Sequence, residues 1–188
     1  MRENSVRLHR YEPASLANGP GLRAVIWAQG CSFGCPGCFN PETHAMRAGE
    51  IWPVEDLAER ILSDKDRLEG LTLSGGEPLY QHRAIARLLE IVKAQSDLSV
   101  LVFSGYTWDE MQALKGIDNF LRHVDVLLAG RYDASQRVAQ NLIGSSNKTV
   151  HFLSDRYTTK DLETVPQAEV ILTADGEIRL SGIDPLNW

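Results

Sequence analysis

The sequence predicts an α/β fold: an open, partial (β/α) barrel of mainly parallel strands, finished by a C-terminal β-hairpin. Three observations carry that prediction. Short apolar runs at 22–28, 71–74, 98–103 and 124–129 alternate with helical patterns, as in βαβ units whose right-handed crossovers build a parallel sheet. Each run ends in a motif rich in glycine or reactive side chains, and α/β sheets place ligand sites at the C-terminal ends of their strands. Two β-prone runs then flank Ala174-Asp175-Gly176, a hairpin signal. These strands are too few for a closed eight-stranded barrel, so the barrel is expected to stay open.

Residues 5–11 alternate apolar and polar side chains (Val6, Leu8), as a short edge strand does. A turn at Asn18-Gly19-Pro20-Gly21 leads into 22–28, apolar apart from Arg23 and therefore read as a buried parallel strand. That strand delivers the chain to Cys31-Ser-Phe-Gly-Cys35-Pro-Gly-Cys38-Phe39-Asn40, which holds all three cysteines. Val54, Leu57, Ala58, Ile61 and Leu62 recur at helical spacing in 54–66, behind Pro53. The strand at 71–74 runs into Gly75-Gly76-Glu77-Pro78, and a helix over 81–94 follows with Ile85, Leu88, Leu89 and Val92 on one face. The strand at 98–103 ends in Ser104-Gly105-Tyr106, after which Thr107 and Glu110 have capping-box spacing. Gly116 breaks that helix, 117–123 connects, and 124–129 leads to Gly130-Arg131-Tyr132-Asp133. The polar stretch 133–148 reads as a long loop, and 168–173 with 177–180 as the hairpin. With no repeat or linker, residues 1–188 form one domain, its core about 5–153 and its hairpin and tail about 154–188.

Hydrophobic residues make up 43% and charged residues 23%, as in an ordinary globular protein. The net charge of −6 argues against a general nucleic-acid binder. No run approaches the roughly 18 apolar residues that span a membrane, and the first residues lack the apolar segment of a secretory signal. Three clustered cysteines are no disulfide framework, so they are expected to be reduced and the protein cytoplasmic.

Three thiolates on one loop leave a four-iron cube with an open iron, able to bind a ligand and act on it. The alternative is a zinc site completed by His44, although no second ligand pair is present. Gly30, Gly34 and Gly37 let the loop wrap closely, and Phe39 would shield a cluster from water. In Gly75-Gly76-Glu77-Pro78, backbone carbonyls could take a ligand's ammonium with Glu77 supplying charge. The same tetrapeptide also reads as an ordinary strand-to-helix turn.

The cysteine spacing C-x3-C-x2-C followed by Gly75-Gly76-Glu77-Pro78 resembles the radical S-adenosylmethionine (radical SAM) superfamily. Asn18-Gly-Pro-Gly-Leu-Arg23, Cys35-Pro-Gly-Cys-Phe-Asn40, Ser104-Gly-Tyr106, Gly130-Arg-Tyr-Asp133 and Gly144-Ser-Ser-Asn147 narrow the resemblance. They are similar to segments of the anaerobic ribonucleotide reductase activating proteins, among the glycyl-radical-enzyme activases. The resemblance implies that Cys31, Cys35 and Cys38 hold a [4Fe–4S] cluster whose open iron chelates S-adenosylmethionine. A flavodoxin- or ferredoxin-like protein would donate the electron that cleaves it to a 5′-deoxyadenosyl radical. That radical would take a hydrogen atom from a glycine of a partner glycyl radical enzyme. It implies too that Gly75, Gly76 and Glu77, with Pro78, receive the methionine ammonium. Phe39, Asn40, Ser104, Tyr106 and Arg131 complete the implied cofactor-binding set, and Asn147 is a cofactor contact, a partner contact or a turn residue. Ala129 stands where the family commonly has aspartate, Lys148 where it often has glutamine, and the C-terminus is longer than usual. These departures leave open a radical SAM enzyme acting on another peptide or small molecule, and behind it a non-catalytic iron–sulfur or zinc module.

Overall fold

Parallel strands form the middle of one sheet and bring their motif-bearing ends to the same side. The computed structural model describes residues 4–173 and 175–183. Its first strand, β1, is Ser5–Ser15, followed by β2 at Arg23–Ala28 and β3 at Glu50–Pro53. Helix α1 is Val54–Leu62, β4 is Gly70–Gly75, α2 is His82–Gln95 and β5 is Ser99–Ser104. Two short helices, α3 at Trp108–Gln112 and α4 at Asp118–Leu121, precede β6 at Val126–Ala129. Then come β7 (Arg137–Gln140), β8 (Ile143–Ser145), β9 (Thr149–Phe152) and α5 (Thr159–Glu163). The last described elements are β10, Ala168–Leu172, and β11, Ile178–Gly182.

The main sheet has the order β3-β1-β2-β4-β5-β6-β9. Pairs β2–β4, β4–β5 and β5–β6 are parallel, while β3, β1 and β9 attach antiparallel at the margins. The predicted alternation of strands and helices is therefore present. The strand at 5–11 differs from expectation: it continues to Ser15 and lies inside the sheet, because β3 pairs with it as the true edge. Only four residues long and mostly exposed, β3 carries no alternation to reveal it.

Both faces of the parallel strands are covered, which is why their sequences read as unbroken apolar runs. On one face Leu57, Ile61, Ile85, Leu88, Leu89 and Val92, all without solvent exposure, pack onto Leu71, Leu73, Val100 and Val102. On the other, a smaller cluster joins Leu101, Val126 and Leu128 to Leu142, Tyr157 and Leu162. Thr107 caps α3 as its spacing predicts, the Glu110 carboxylate accepting from the Thr107 N–H at 2.9 Å.

The expected long loop at 133–148 is more ordered than predicted. A 3-10 turn at Ala134–Gln136 precedes the β7–β8 hairpin, whose turn residues Asn141 and Leu142 have φ of 52° and 66°. Such a turn normally announces itself as Asn-Gly. Here leucine takes the left-handed position because its side chain is buried in the smaller core, 2% exposed.

The predicted C-terminal hairpin is present as β10 paired antiparallel with β11, a two-stranded sheet separate from the main one. Ala174 of its turn and the tail at 184–188, including Trp188, lie outside the described residues. No helix among the described residues is long and apolar enough to cross a membrane.

Candidate active site

At the C-terminal end of β2 the chain turns into the cysteine loop, which backbone bonds pin down. The Gly30 N–H donates to the Thr43 carbonyl at 2.8 Å and the Cys31 N–H to the His44 carbonyl at 3.2 Å. The Gln29 side chain ties the return of the loop through the Ala45 carbonyl at 2.8 Å. All three cysteines are free thiols, half-buried, and all three line one cavity of about 250 Å³. His44 lines the same cavity, and among the described residues no three His, Cys, Asp or Glu side chains gather as they would round a single ion. Three thiols lining one cavity match the number of ligands that leaves one corner of a four-iron cube open.

The turn after β4 forms the facing wall. Gly76 and Glu77 donate backbone N–H groups to the Ala28 and Gly30 carbonyls at 2.8 and 2.9 Å, zipping this turn to the root of the cysteine loop. Contact is so close that a Cβ on Gly76 would sit 2.6 Å from the Gly30 oxygen, while Gly75 holds φ of +97°. Gly76→Ala is therefore expected to push the loop off its seat. Iron retained after anaerobic reconstitution should fall well below wild type, as iron and sulfide assays would read, while the far-UV spectrum stays native.

Glu77 has no solvent exposure. One carboxylate oxygen accepts from the Leu79 N–H at 2.9 Å and the Ser104 hydroxyl at 3.0 Å; the other accepts from the Gly105 N–H at 2.7 Å. The side chain thus braces the end of β4 against the end of β5. Burial nevertheless raises its pKa to about 7, with the two backbone donors and Ser104 working in the opposite direction. A raised carboxyl pKa favours the folded state below the unfolded value and withdraws that help as pH climbs through the folded one. Stability of the metal-free chain should accordingly fall by roughly 3 kcal/mol between about pH 4.5 and 8. Urea unfolding across that range should show the slope, and Glu77→Gln should flatten it.

Of the residues predicted for the site, Cys31, Cys35, Cys38, Phe39, Asn40, Gly75, Gly76, Glu77 and Ser104 all line the cavity. Pro78 is buried and opens the 3-10 turn that follows β4. Tyr106 and Arg131 are not among the lining residues; they pack on Phe33 of the cysteine loop, Tyr106 edge-on at 5.1 Å and the Arg131 guanidinium 4.3 Å from the ring centroid. Arg131 is also paired with Glu110 at 2.7 Å. The Asn147 amide donates to the Arg131 carbonyl at 2.9 Å. Phe39 packs on Tyr132, ring centroids 4.7 Å apart.

Sequence reasoning missed several lining residues: Phe33, Tyr132, Arg10, Trp27, and Leu180 and Ser181 of the terminal hairpin. Phe33 lay inside the cysteine motif and could have been suspected from that position. Tyr132 likewise stands in the strand-end motif Gly130-Arg131-Tyr132-Asp133, and the remainder reach the cavity only through tertiary packing. Lys148, noted only as a departure from the family pattern, lines the cavity and donates to the Gly130 carbonyl. Burial lowers its pKa against the pull of Cys35, Glu77 and Cys38, and its charge partly offsets the burial that pushes the Cys38 thiol up.

A family model described as a 4Fe-4S single cluster domain matches residues 17–151. The anaerobic ribonucleoside-triphosphate reductase-activating protein of Enterobacteria phage T4 is 34% identical over 145 residues, 74% of this chain and 89% of the relative. The chain belongs to this family of activating proteins. Its Escherichia coli (strain K12) member is 30% identical over 154 residues, covering 77% of this chain and 97% of that one. A pyruvate formate-lyase-activating enzyme of Clostridium pasteurianum is 32% identical over 126 residues, 65% of this chain and half of that enzyme. Among solved structures, QueE from Escherichia coli gives a TM-score of 0.45 at 17% identity, covering 55% of this chain and 53% of QueE, a likeness too partial to bear on function.

Proposed function

We propose that the protein is a radical SAM activase that generates a glycyl radical on a partner enzyme such as anaerobic ribonucleotide reductase. One observation carries the reading: three free thiols and the Gly75-Gly76 turn face the same cavity, at the C-terminal ends of parallel strands. The donor set fits a [4Fe–4S] cluster, three soft ligands in reach of one space and no fourth cysteine in the chain. A [4Fe–4S] cluster held by these thiols would supply the electron for reductive cleavage of S-adenosylmethionine to methionine and a 5′-deoxyadenosyl radical.

The chain's own residues bind, orient and shield. Cys31, Cys35 and Cys38 hold the metal as thiolates, and Lys148 balances part of their charge. Gly75 and Gly76 offer their carbonyls to the methionine ammonium in a turn that Pro78 stiffens and Glu77, braced by Ser104, fixes in place. Phe39 and Asn40 wall the cavity beside the cysteines and keep water from the metal. Tyr106 and Arg131 act at one remove, clamping the loop through Phe33. The sheet, covered on both faces, is taken to curl into an open partial barrel within a single domain spanning 1–188. Reduced thiols favour the cytoplasm, where a flavodoxin- or ferredoxin-like protein would supply electrons.

The test uses reconstituted protein, reductant, S-adenosylmethionine and a candidate glycyl radical enzyme, read by electron paramagnetic resonance. A glycine-centred doublet that requires all components is expected. Stoichiometric 5′-deoxyadenosine without any radical on the partner would favour a different hydrogen donor.

A further inference from the structure

The cysteine loop at 31–40 is fixed at its ends by main-chain bonds, but its middle is held by side chains. Among the described residues, 32–38 make one main-chain bond, from the Cys38 N–H to the Cys35 carbonyl at 3.1 Å, and it stays inside the loop. Two phenylalanines tie this stretch to the strands: Phe33 between the first two cysteines and Phe39 directly after the third. Each ring lies against a glycine. A Cβ on Gly105, just past β5, would stand 2.5 Å from the Phe33 ring, and one on Gly144, in β8, 2.7 Å from the Phe39 ring.

Carbon atoms in contact lie about 3.5–4.0 Å apart, so each ring fills the space of the side chain its glycine lacks. Other neighbours stand farther off: such a Cβ would be 3.4 Å from Glu77 Oε2 at Gly105 and 3.7 Å from Tyr132 at Gly144. Neither glycine has a positive φ, so the backbone at both places would accept an ordinary residue. The bare Cα is needed for the ring. Around these seats Tyr80, Tyr106 and Arg131 enclose Phe33, and Tyr132 backs Phe39. The three cysteines are thereby bracketed by two fixed points, and both glycines line the same cavity as the thiols.

We propose that Gly105 and Gly144 are positioning residues, whose seats for Phe33 and Phe39 hold the three thiols at one cavity before metal arrives. This rests on reading the loop as the ligand of a cluster, and adds that the protein sets the ligand spacing in advance. The test takes Gly105→Ala and Gly144→Ala, Phe33→Leu and Phe39→Leu, and the four double variants that combine one of each. Amide hydrogen exchange of the peptide covering 31–40, read by mass spectrometry on the metal-free full chain, reports opening of the loop. Iron and sulfide per chain after anaerobic reconstitution, with the midpoint potential of the cluster, report the site.

Each alanine should speed exchange by about tenfold or more, the fold-change that an ordinary overpacking penalty implies. It should also lower iron content and shift the potential of the cluster that does assemble. Each leucine alone should speed exchange too, because its seat is only partly filled. Matched pairs, Gly144→Ala with Phe39→Leu and Gly105→Ala with Phe33→Leu, should exchange more slowly than the alanine alone, and mismatched pairs faster. Melting temperatures confirm that the variants fold.

Unchanged exchange in either alanine variant, or equal behaviour of matched and mismatched pairs, would overturn the proposal. So would faster exchange with unaltered iron content and potential, since the seats would then not position the thiols. Should an alanine variant fail to fold, its leucine counterpart decides, and wild-type exchange in that variant would overturn the proposal equally. Failure of the wild type to assemble a [4Fe–4S] cluster would count against the activase reading instead, and the metal-free exchange would still judge the two seats.

Discussion

Cys31→Ala, Cys35→Ala and Cys38→Ala are each expected to leave a folded protein that retains almost no iron and releases no 5′-deoxyadenosine above background. The chain has no fourth cysteine to substitute, so each change leaves two thiolates for a cluster that needs three. Changing residues that merely orient metal ligands already costs about 10–100-fold in affinity or activity, and losing a ligand costs more. The fold should survive because the loop is anchored by main-chain bonds, Gly30 to Thr43 and Cys31 to His44, which do not involve the thiols. Iron and sulfide per chain after anaerobic reconstitution, compared with the melting temperature of metal-free wild type, separates loss of metal from loss of fold. Wild type should hold about four irons per chain.

Arg23→Met is expected to destabilise the protein by about 3–5 kcal/mol, the range for a buried charge network that loses one partner. Arg23 has no solvent exposure. Its guanidinium donates to the Thr72 hydroxyl at 2.8 Å, the Ser99 hydroxyl at 2.9 Å and the Leu71 carbonyl at 2.9 Å. It also reaches the Pro20 and Ser99 carbonyls at 3.1 and 3.2 Å. One side chain therefore staples β2, β4 and β5 at the end opposite the cavity, and methionine would leave several buried acceptors unpaired. Glu69 balances the charge indirectly, accepting from the Tyr157 hydroxyl at 2.6 Å. Arg23→Lys should recover little, because an ammonium cannot reproduce the planar fork. Urea unfolding measures the loss. Variants that still fold should bind iron normally, since the cavity lies at the other end of these strands.

Much of this was legible in the sequence, for reasons that can be named. The parallel strands are buried on both faces, so 71–74 and 98–103 read as apolar runs and their ends as a common site. Spacing alone singled out Cys31, Cys35 and Cys38, and position one βα unit later singled out Gly75-Gly76; the fold brings all five to one cavity. The strands β3 and β9, at four residues each, are too short to show a period. The β7–β8 turn was hidden because Leu142 supplies the left-handed residue that glycine usually marks. Glu77 could be read as an acid near a ligand, but its tie to Gly105 depends on how β4 and β5 lie side by side. Arg131 followed its motif to the strand end, yet Glu110 and Phe33 hold it outside the cavity. Arg10 carried no signal, since only pairing of β1 with β2 sets it on Trp27.

In the function proposed here, three thiolates and the Gly75-Gly76 turn, which line one cavity, make one site for a cluster and S-adenosylmethionine. Anaerobic reconstitution with iron and sulfide, reduction, addition of S-adenosylmethionine and chromatographic assay for 5′-deoxyadenosine and methionine tests it most directly. A [4Fe–4S] spectrum that S-adenosylmethionine perturbs is expected, with both products formed in equal amounts and only when reductant is present. An intact, reducible cluster that leaves S-adenosylmethionine uncleaved would contradict it.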